Sequence, residues 1–493
     1  MSNKNKIPKS HWFTWSELKT KLDSAVNKTL GEIDVKNVFD RTIDNPKITG
    51  IAGDVIEQSL LGYHSDSDQR PDIVIDNVPY EVKTTGLRVD TSENNTKKTH
   101  YMAKEPMSIT NVSLEDIENE EFETSHFWEK TSKLLLIFYL YNSKDTVKAS
   151  DYAFFPVVGY NRHTFSEADK RILKQDWETI RDFIIELRKQ PDPKKEYPRL
   201  SSELRDRLLY LDTAPKYPHP PRFRLKRSFV TQMVKSIFDK FEMEDLNDIS
   251  SVDELTRACR TITSKDQGKS VKALVKQYHI NVANPEHDNK NVAEQIIVRM
   301  FGGKQKKLNR VGQFAKAGIV AKSIVLTAKQ KRTEDNKLFT LNFDDFFDKE
   351  FEESEVYEYF TQHQFLYVVF EEKTKGQKFA ENTFKGFIRI TFNDEFIDEF
   401  VKPTWVAIRN VIVNHKLKST PVYLKNGELR VNKNGVVMES VNLPKSAAYN
   451  VFVRGTGNDS KDKRLIQGVR MYSQQLWLKG SFIVEMLKKH NYL

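Results

Sequence analysis

A single cysteine, Cys259, stands in 493 residues. One thiol excludes an intramolecular disulfide and any metal centre built from several cysteines. The chain also lacks a long hydrophobic run. Its longest, Leu134 to Tyr141 (LLLIFYLY), falls far short of the roughly 20 apolar residues that a membrane-spanning helix needs, and it reads as a buried strand. The opening MSNKNKIPKSHWF contains no apolar core of a secretory signal. A cytoplasmic protein without membrane contact is the expectation. Positive charge is what the chain has to spare: 78 Lys and Arg against 69 Asp and Glu, a net +9 at pH 7. That balance suits a polyanionic partner. The length predicts about two to four domains, each able to bury its own core.

The most informative stretch is Pro71 to Lys83, PDIVIDNVPYEVK. Ile73 to Ile75 and Val78 to Val82 read as short strands joined by Asp76-Asn77, two residues that tolerate the positive φ of a two-residue hairpin loop. Residue 75 then pairs with 78 and 73 with 80, which sets Asp72 opposite Glu81. Side chains alternate along a strand, so Lys83 shares a face with Glu81. Two carboxylates about 4 Å apart repel by roughly 4 kcal/mol at an effective dielectric near 20. A divalent cation relieves that repulsion, and oxygen ligands of this kind suit Mg²⁺. Asp, a gap, then Glu-x-Lys is the pattern of the PD-(D/E)xK nucleases. By itself it is a weak signal, since a chain 30% charged produces Glu-x-Lys by chance, on an ordinary solvated hairpin.

Around the hairpin, Thr14 to Glu17 reads as a helix start, with Trp15, Leu18, Leu22 and Val26 on one face. Thr49 to Gly62 (TGIAGDVIEQSLLG) reads as a second amphipathic helix ending at its glycine. Glu57 lies within it, either a surface carboxylate or a further acidic group aimed at the metal or its water. Arg88 to His100 is polar and loop-like, Ala153 to Val158 reads as a strand, and Gln175 to Lys189 as a helix. Thr213 to Phe229 (TAPKYPHPPRFRLKRSF) is the segment expected to touch DNA: a proline-stiffened loop, then alternating basic and apolar residues. Lys216, Arg222, Arg224, Lys226 and Arg227 offer charge for phosphates and forks for guanine edges, and Tyr217 and His219 offer rings. An ordinary basic loop is the competing reading.

The second half repeats the first in worn form. FRLKRSFVTQMV (223–234) aligns with LWLKGSFIVEML (476–487), WETIRDFI (177–184) with WVAIRNVI (405–412), and FETS (122–125) with FEES (351–354). Ile297 falls where Glu57 was, and Val320-Ala321-Lys322 where Glu81-Val82-Lys83 was. The lysine survives and the carboxylates do not. The second copy is therefore expected to bind DNA without cutting it, with Arg454 and Lys479 as candidate contacts.

These landmarks together (TLGEI, AGDVIEQ, DSDQRPD, YEVKTT, FETSHFWEK, QDWE and FRLKRSF) resemble the MutH family. The likeness is strongest to its two-domain members, the Sau-type restriction endonucleases that recognise GATC. The resemblance implies an α/β (mixed α+β) chain of two tandem restriction-endonuclease-like domains, each a mixed β-sheet flanked by helices. The expected boundaries are 1–238 for a catalytic domain, 239–285 for a connecting segment and 286–493 for a degenerate DNA-binding domain. It also implies Mg²⁺-dependent cleavage of double-stranded DNA 5′ of the G of GATC, leaving 5′ overhangs, and a cognate DNA methyltransferase as functional partner. By motif position Asp72, Glu81 and Lys83 are catalytic, Glu57 is the extra acidic residue, and a second lysine falls at Lys130 or Lys133, with Lys130 the better match. Asp72, Glu81 and the Val82 carbonyl are the expected metal ligands. One centre per chain cuts one strand at a time, so a monomer that pairs or loops on DNA through its second domain is expected. The rival readings are a MutH-type mismatch-repair nickase and a non-catalytic DNA-binding regulator on a nuclease fold.

Overall fold

The computed structural model describes residues 7–493 apart from 65–69, 91–98, 144–146, 216, 241–242, 247–248, 282–288, 332, 432–434 and 458–461. Two compact units emerge. The first takes in the chain up to Ser143, Val147–Ala258 and Gly302–Ile319; the second takes in Cys259–Phe301 and Val320–Leu493.

The strands of the first unit are β1 (Trp12–Phe13), β2 (Ile73–Ile75), β3 (Val78–Val89), β4 (Tyr101–Ala103), β5 (Met107–Asn111), β6 (Lys133–Leu140), β7 (Val157–Thr164), β8 (Leu211–Asp212) and β9 (Arg222–Leu225). They form one sheet ordered β1-β2-β3-β6-β7, with β4 beside β3, and a smaller sheet ordered β5-β9-β8. The β2–β3 hairpin has the expected register, Ile75 on Val78 and Ile73 on Tyr80. Its turn residues Asp76 and Asn77 have φ of 46° and 67°, the left-handed pair that a tight hairpin requires. β6 runs parallel to β3 and antiparallel to β7. Leu134 to Phe138 are wholly buried, as an unbroken apolar strand inside a sheet covered on both faces should be.

Two expectations shift. The strand foreseen at 153–158 starts only at Val157, because Ala149–Phe154 is a 3-10 turn. β3 continues through Arg88 and Val89, where loop was expected, because Arg88 and Val89 pair with Met102 and Tyr101 of β4; residues 91–98 lie outside the described residues.

Helix α1 (Trp15–Ala25) begins at a reciprocal cap between Thr14 and Glu17 and buries Leu18, Leu22 and Ala25. α2 (Ile51–Val55) passes into a π-helical turn, Ile56–Leu61, that ends at Gly62 with φ 91°. α3 (His126–Thr131) is capped by Ser125, α4 (Glu167–Arg188) by Ser166, and α5 (Arg227–Asp239) follows β9 directly.

The second unit holds β10 (Ile319–Leu326, its first residue counted with the first unit), β11 (Asn336–Thr340), β12 (Gln364–Glu371), β13 (Thr383–Ile390), β14 (Ser419–Pro421), β15 (Glu439–Val441), β16 (Val451–Gly455), β17 (Arg464–Ile466), β18 (Val469–Met471) and β19 (Gln474–Leu478). Its sheets are β10-β12-β13 and β11-β19-β16, with the pairs β14-β15 and β17-β18. The order β11-β19-β16 matches β5-β9-β8, and a helix follows β19 (Gly480–Lys488) as α5 follows β9. Small details match too. Ser125 and Ser354 each donate to a phenylalanine carbonyl three residues back, at 2.8 and 2.6 Å, and cap the helix that follows. Arg181 lies over Trp177 at 5.3 Å and Arg409 over Trp405 at 5.2 Å. Lys174 pairs with Glu123 and Lys402 with Glu352.

Candidate active site

Asp72 immediately precedes β2, and Glu81 and Lys83 lie on β3. Lys130 comes from α3 and Glu57 from the π-helical turn. The hairpin register does bring the acidic groups to one place. The Val82 amide donates to Asp72 Oδ2 at 2.8 Å. Lys83 Nζ donates to Glu81 Oε1 at 2.8 Å and to the Ile109 carbonyl at 3.4 Å. Lys130 Nζ donates to the same Glu81 oxygen at 3.2 Å. Of Lys130 and Lys133, it is Lys130 that reaches this site; Lys133 opens β6.

Glu81 is 2% exposed, and its Oε2 is buried with no hydrogen-bond partner. An acceptor left bare in this way costs about 1–3 kcal/mol, more for a charged group, unless a ligand answers it. Burial and then the Glu81 charge push the Asp72 carboxyl up to about 7. Burial and then the Asp72 charge push Glu57 up to about 8. Carboxyls so raised, clustered beside lysines, are the usual signature of a site that binds a cation or moves a proton. Among the described residues no three His, Cys, Asp or Glu side chains gather as a ready-made ion cage. The donor set nevertheless fits a hard divalent ion that completes its shell with carbonyl, water and phosphate oxygens.

These shifts carry a stability consequence. Both carboxyls hold their protons to higher pH in the folded than in the unfolded chain. Their contribution is therefore favourable at low pH and is lost as pH rises from about 4 through 7 to 8. The metal-free protein is expected to melt at a lower temperature at pH 8 than at pH 5.5, with Asp72→Asn flattening part of that fall. Identical wild-type and Asp72→Asn slopes in a thermal-shift series would reject the assignment.

One residue escaped the sequence reading. His11 Nδ1 lies 2.7 Å from the Asp72 carbonyl, so it carries the proton and donates; its ring stacks on Tyr63 at 4.2 Å. With β1 paired along β2 and the Trp15 amide bound to Asp76, the N-terminal segment clamps the strand that carries Asp72. No motif or periodicity marks His11.

The cations expected on DNA fall into different surroundings. Arg222 is exposed on β9. Arg224 forks onto Asp212 at 2.6 and 3.1 Å, and Arg227 donates to the Ala103 carbonyl at 2.9 Å. Lys226 is 3% exposed, and its Nζ donates to the Leu208 carbonyl at 2.7 Å. That amine is therefore spent inside the protein, so the expectation that Lys226 meets phosphate needs correcting: it is an internal prop. Lys216 lies outside the described residues. Arg454 reaches Asp335 at 2.6 Å and lies over Trp477, and Lys479 stands at the start of the last helix.

Residues 61–176 match the family described as DNA mismatch repair enzyme MutH. That span contains Asp72, Glu81, Lys83 and Lys130, the four groups just described. The chain is also similar to the type II restriction enzyme Sau3AI of Staphylococcus aureus, 24% identical over 480 residues that cover 88% of this chain and 92% of that one. The MutH-family span stops within α4, so Glu57, His11 and the basic segment before α5 flank it.

Proposed function

We propose that the protein is a type II restriction endonuclease. On this reading it is a site-specific endonuclease that hydrolyses double-stranded DNA with the help of a divalent metal ion, Mg²⁺ by the oxygen-rich donor set. The cut falls at GATC, 5′ of the G, leaving 5′ overhangs. The observation that carries the reading is the convergence of Asp72, Glu81, Lys83 and Lys130 on one buried hairpin inside a MutH-family domain. The similarity to a restriction enzyme along most of both chains supports it over a repair nickase.

Asp72, Glu81 and the Val82 carbonyl are the groups to hold the ion. When bound, it supplies a positive charge that polarises the scissile phosphate and stabilises the leaving oxygen. The Val82 amide fixes one Asp72 oxygen, which orients the other. Lys130 holds Glu81 from the helix side, so the carboxylate keeps its place when Lys83 turns to the attacking water. Lys83, the more exposed of the two amines, orients that water and offsets charge developing on the phosphate. Glu57, with its proton affinity raised into the neutral range by burial and then by the Asp72 charge, is the group assigned to exchange a proton with that water. Among the described residues of the 213–229 segment, Arg222, exposed on β9, is the cation assigned to the DNA backbone.

The second unit serves, in this proposal, as a DNA-binding unit that engages a further GATC and promotes pairing of two catalytic units across a loop; a cognate methyltransferase protects the host's own sites. Digestion of methylated and unmethylated plasmid with Mg²⁺, with the ends sequenced, tests specificity and cut position. Ends elsewhere than 5′ of GATC would overturn that part. A two-site plasmid is expected to be cut about tenfold faster than a one-site plasmid of equal length. Equal rates would remove the regulatory role from the second unit.

A further inference from the structure

The second unit contains a feature that has no part in the proposal so far. Between its last long helix (Lys402–Val413) and β16 the chain inserts the β14–β15 pair. The first unit fills the matching place, between α4 and β8, with short helical turns at Pro193–Glu196 and Arg199–Glu203. The inserted strands form one wall of an open cavity of about 550 Å³, within the roughly 300–1,000 Å³ that small-ligand sites occupy.

Its chemistry is uneven. Arg430, Lys445, Arg454 and Lys463 line it, with Glu439 the one carboxylate among the lining residues. Lys463 answers Glu439 at 2.6 Å and lies over the Tyr472 ring at 5.6 Å. Among the described residues no carboxylate pairs with Lys445; its amine is held below the usual lysine range by burial and then by the Arg454 charge. Arg454 is already answered by Asp335 at 2.6 Å, so the half-buried Lys445 amine is the cation that gains most from a bound anion. Met438, 38% exposed, and Tyr472, whose ring carries Lys463, also line the cavity and give it an apolar part. Beside them Gln474, only 3% exposed, donates Nε2 to the Tyr472 carbonyl at 2.8 Å, while its Oε1 is buried with no hydrogen-bond partner. Gln474 too lines the cavity, and its bare acceptor is the group that a donor bound there would satisfy.

The glycines of VFVRGTG allow this packing. A Cβ on Gly455 would fall within 2.4 Å of Gln474 Nε2, and one on Gly457 within 2.3 Å of the Tyr472 ring. Any side chain at either position would displace the amide or the ring from the cavity wall.

We propose that this cavity binds a nucleotide, the base against Met438 and Tyr472, an exocyclic amino group donating to Gln474 Oε1, and the phosphate at Lys445, beside Arg454. The nucleotide is either a free mononucleotide or one swung out of a duplex. The second source rests on the reading of this unit as DNA-binding. Extrusion is how proteins commonly reach a base that stacking hides, and the unstacking costs a few kcal/mol.

The test uses the full chain carrying Glu81→Gln, so that DNA is held without being cut. A fluorescein-labelled GATC duplex reports binding by anisotropy, and the same duplex with 2-aminopurine for the adenine of GATC reports unstacking. In a separate arm the four deoxynucleoside monophosphates are titrated by calorimetry. An extruded base is expected to raise 2-aminopurine emission severalfold on binding. Adding Lys445→Ala, or Gln474→Leu as a second variant, is expected to abolish the rise while anisotropy still reports a complex through the first unit. Heat from a monophosphate that Lys445→Ala abolishes, without a rise from the duplex, assigns the cavity to a free nucleotide. A bound duplex with no Lys445-dependent rise, and no heat from any monophosphate, overturns the proposal. No change in anisotropy instead sinks the DNA-binding reading, and the calorimetry then decides the cavity alone.

Discussion

Lys83→Ala is expected to reduce DNA cleavage by on the order of 10²–10³-fold or more, the usual cost of deleting one preorganised charge from a transition state. Duplex affinity is expected to stay within about tenfold of the wild type, because phosphate contacts elsewhere supply most of it. The reason is local. The amine lies 2.8 Å from Glu81 and also donates to the Ile109 carbonyl, so it is anchored on two strands and cannot be replaced by a mobile neighbour. Lys130 reaches the same carboxylate but is more deeply buried. Glu81→Ala should be at least as damaging, since it leaves two ammonium groups without their shared partner. Gel shifts with Ca²⁺ in place of Mg²⁺ separate binding from cutting. Loss of binding parallel to loss of cleavage would make these residues part of the DNA surface and not of the chemistry.

The largest effect on folding is expected at Asp176. Its carboxylate is 2% exposed and accepts the amides of Leu209, Tyr210 and Leu211 at 2.6 to 3.1 Å. Burial still lifts it, to about 6, against those donors and the nearby Lys226 charge. Asp176→Ala strands three amides and an ammonium, a loss of about 3–5 kcal/mol by analogy with broken buried ion pairs. Melting is expected to fall by roughly 10 °C for a unit of this size. Asp176→Asn, which keeps an acceptor, should lose less. An alanine variant melting within about 2 °C of the wild type would show that the clamp does not hold the chain ahead of the 213–222 loop. The second unit solves the same problem without charge, since Thr404 Oγ1 donates to the Val451 carbonyl at 2.7 Å.

Local chemistry made part of this legible in advance. The two-residue Asp76-Asn77 loop fixed the hairpin register, and with it the meeting of Asp72 and Glu81. The unbroken apolar run announced β6. The smaller sheet was not visible: β5 contains Ser108, Thr110 and Asn111, and it gains strand form by pairing with β9 more than a hundred residues later. His11 was invisible for a similar reason, since its role depends on β1 lying against β2. Lys226 misled because a lysine in a basic run looks solvated. The carbonyl and carboxylate that make its burial tolerable come from Leu208 and Asp176, and nothing in the run itself reveals them.

Lys322, at the place of Lys83, donates to the Lys337 carbonyl at 3.0 Å, on the strand that matches β5. An ammonium that rests on a main-chain oxygen keeps its solvation whether or not acids stand beside it. On the proposal that the second unit is a copy without the carboxylates, their loss strands no charge there, because Lys322 already rests on the Lys337 carbonyl. The lysine has two employments, as a tie between neighbouring sheets and as a reagent, and the first does not depend on the second.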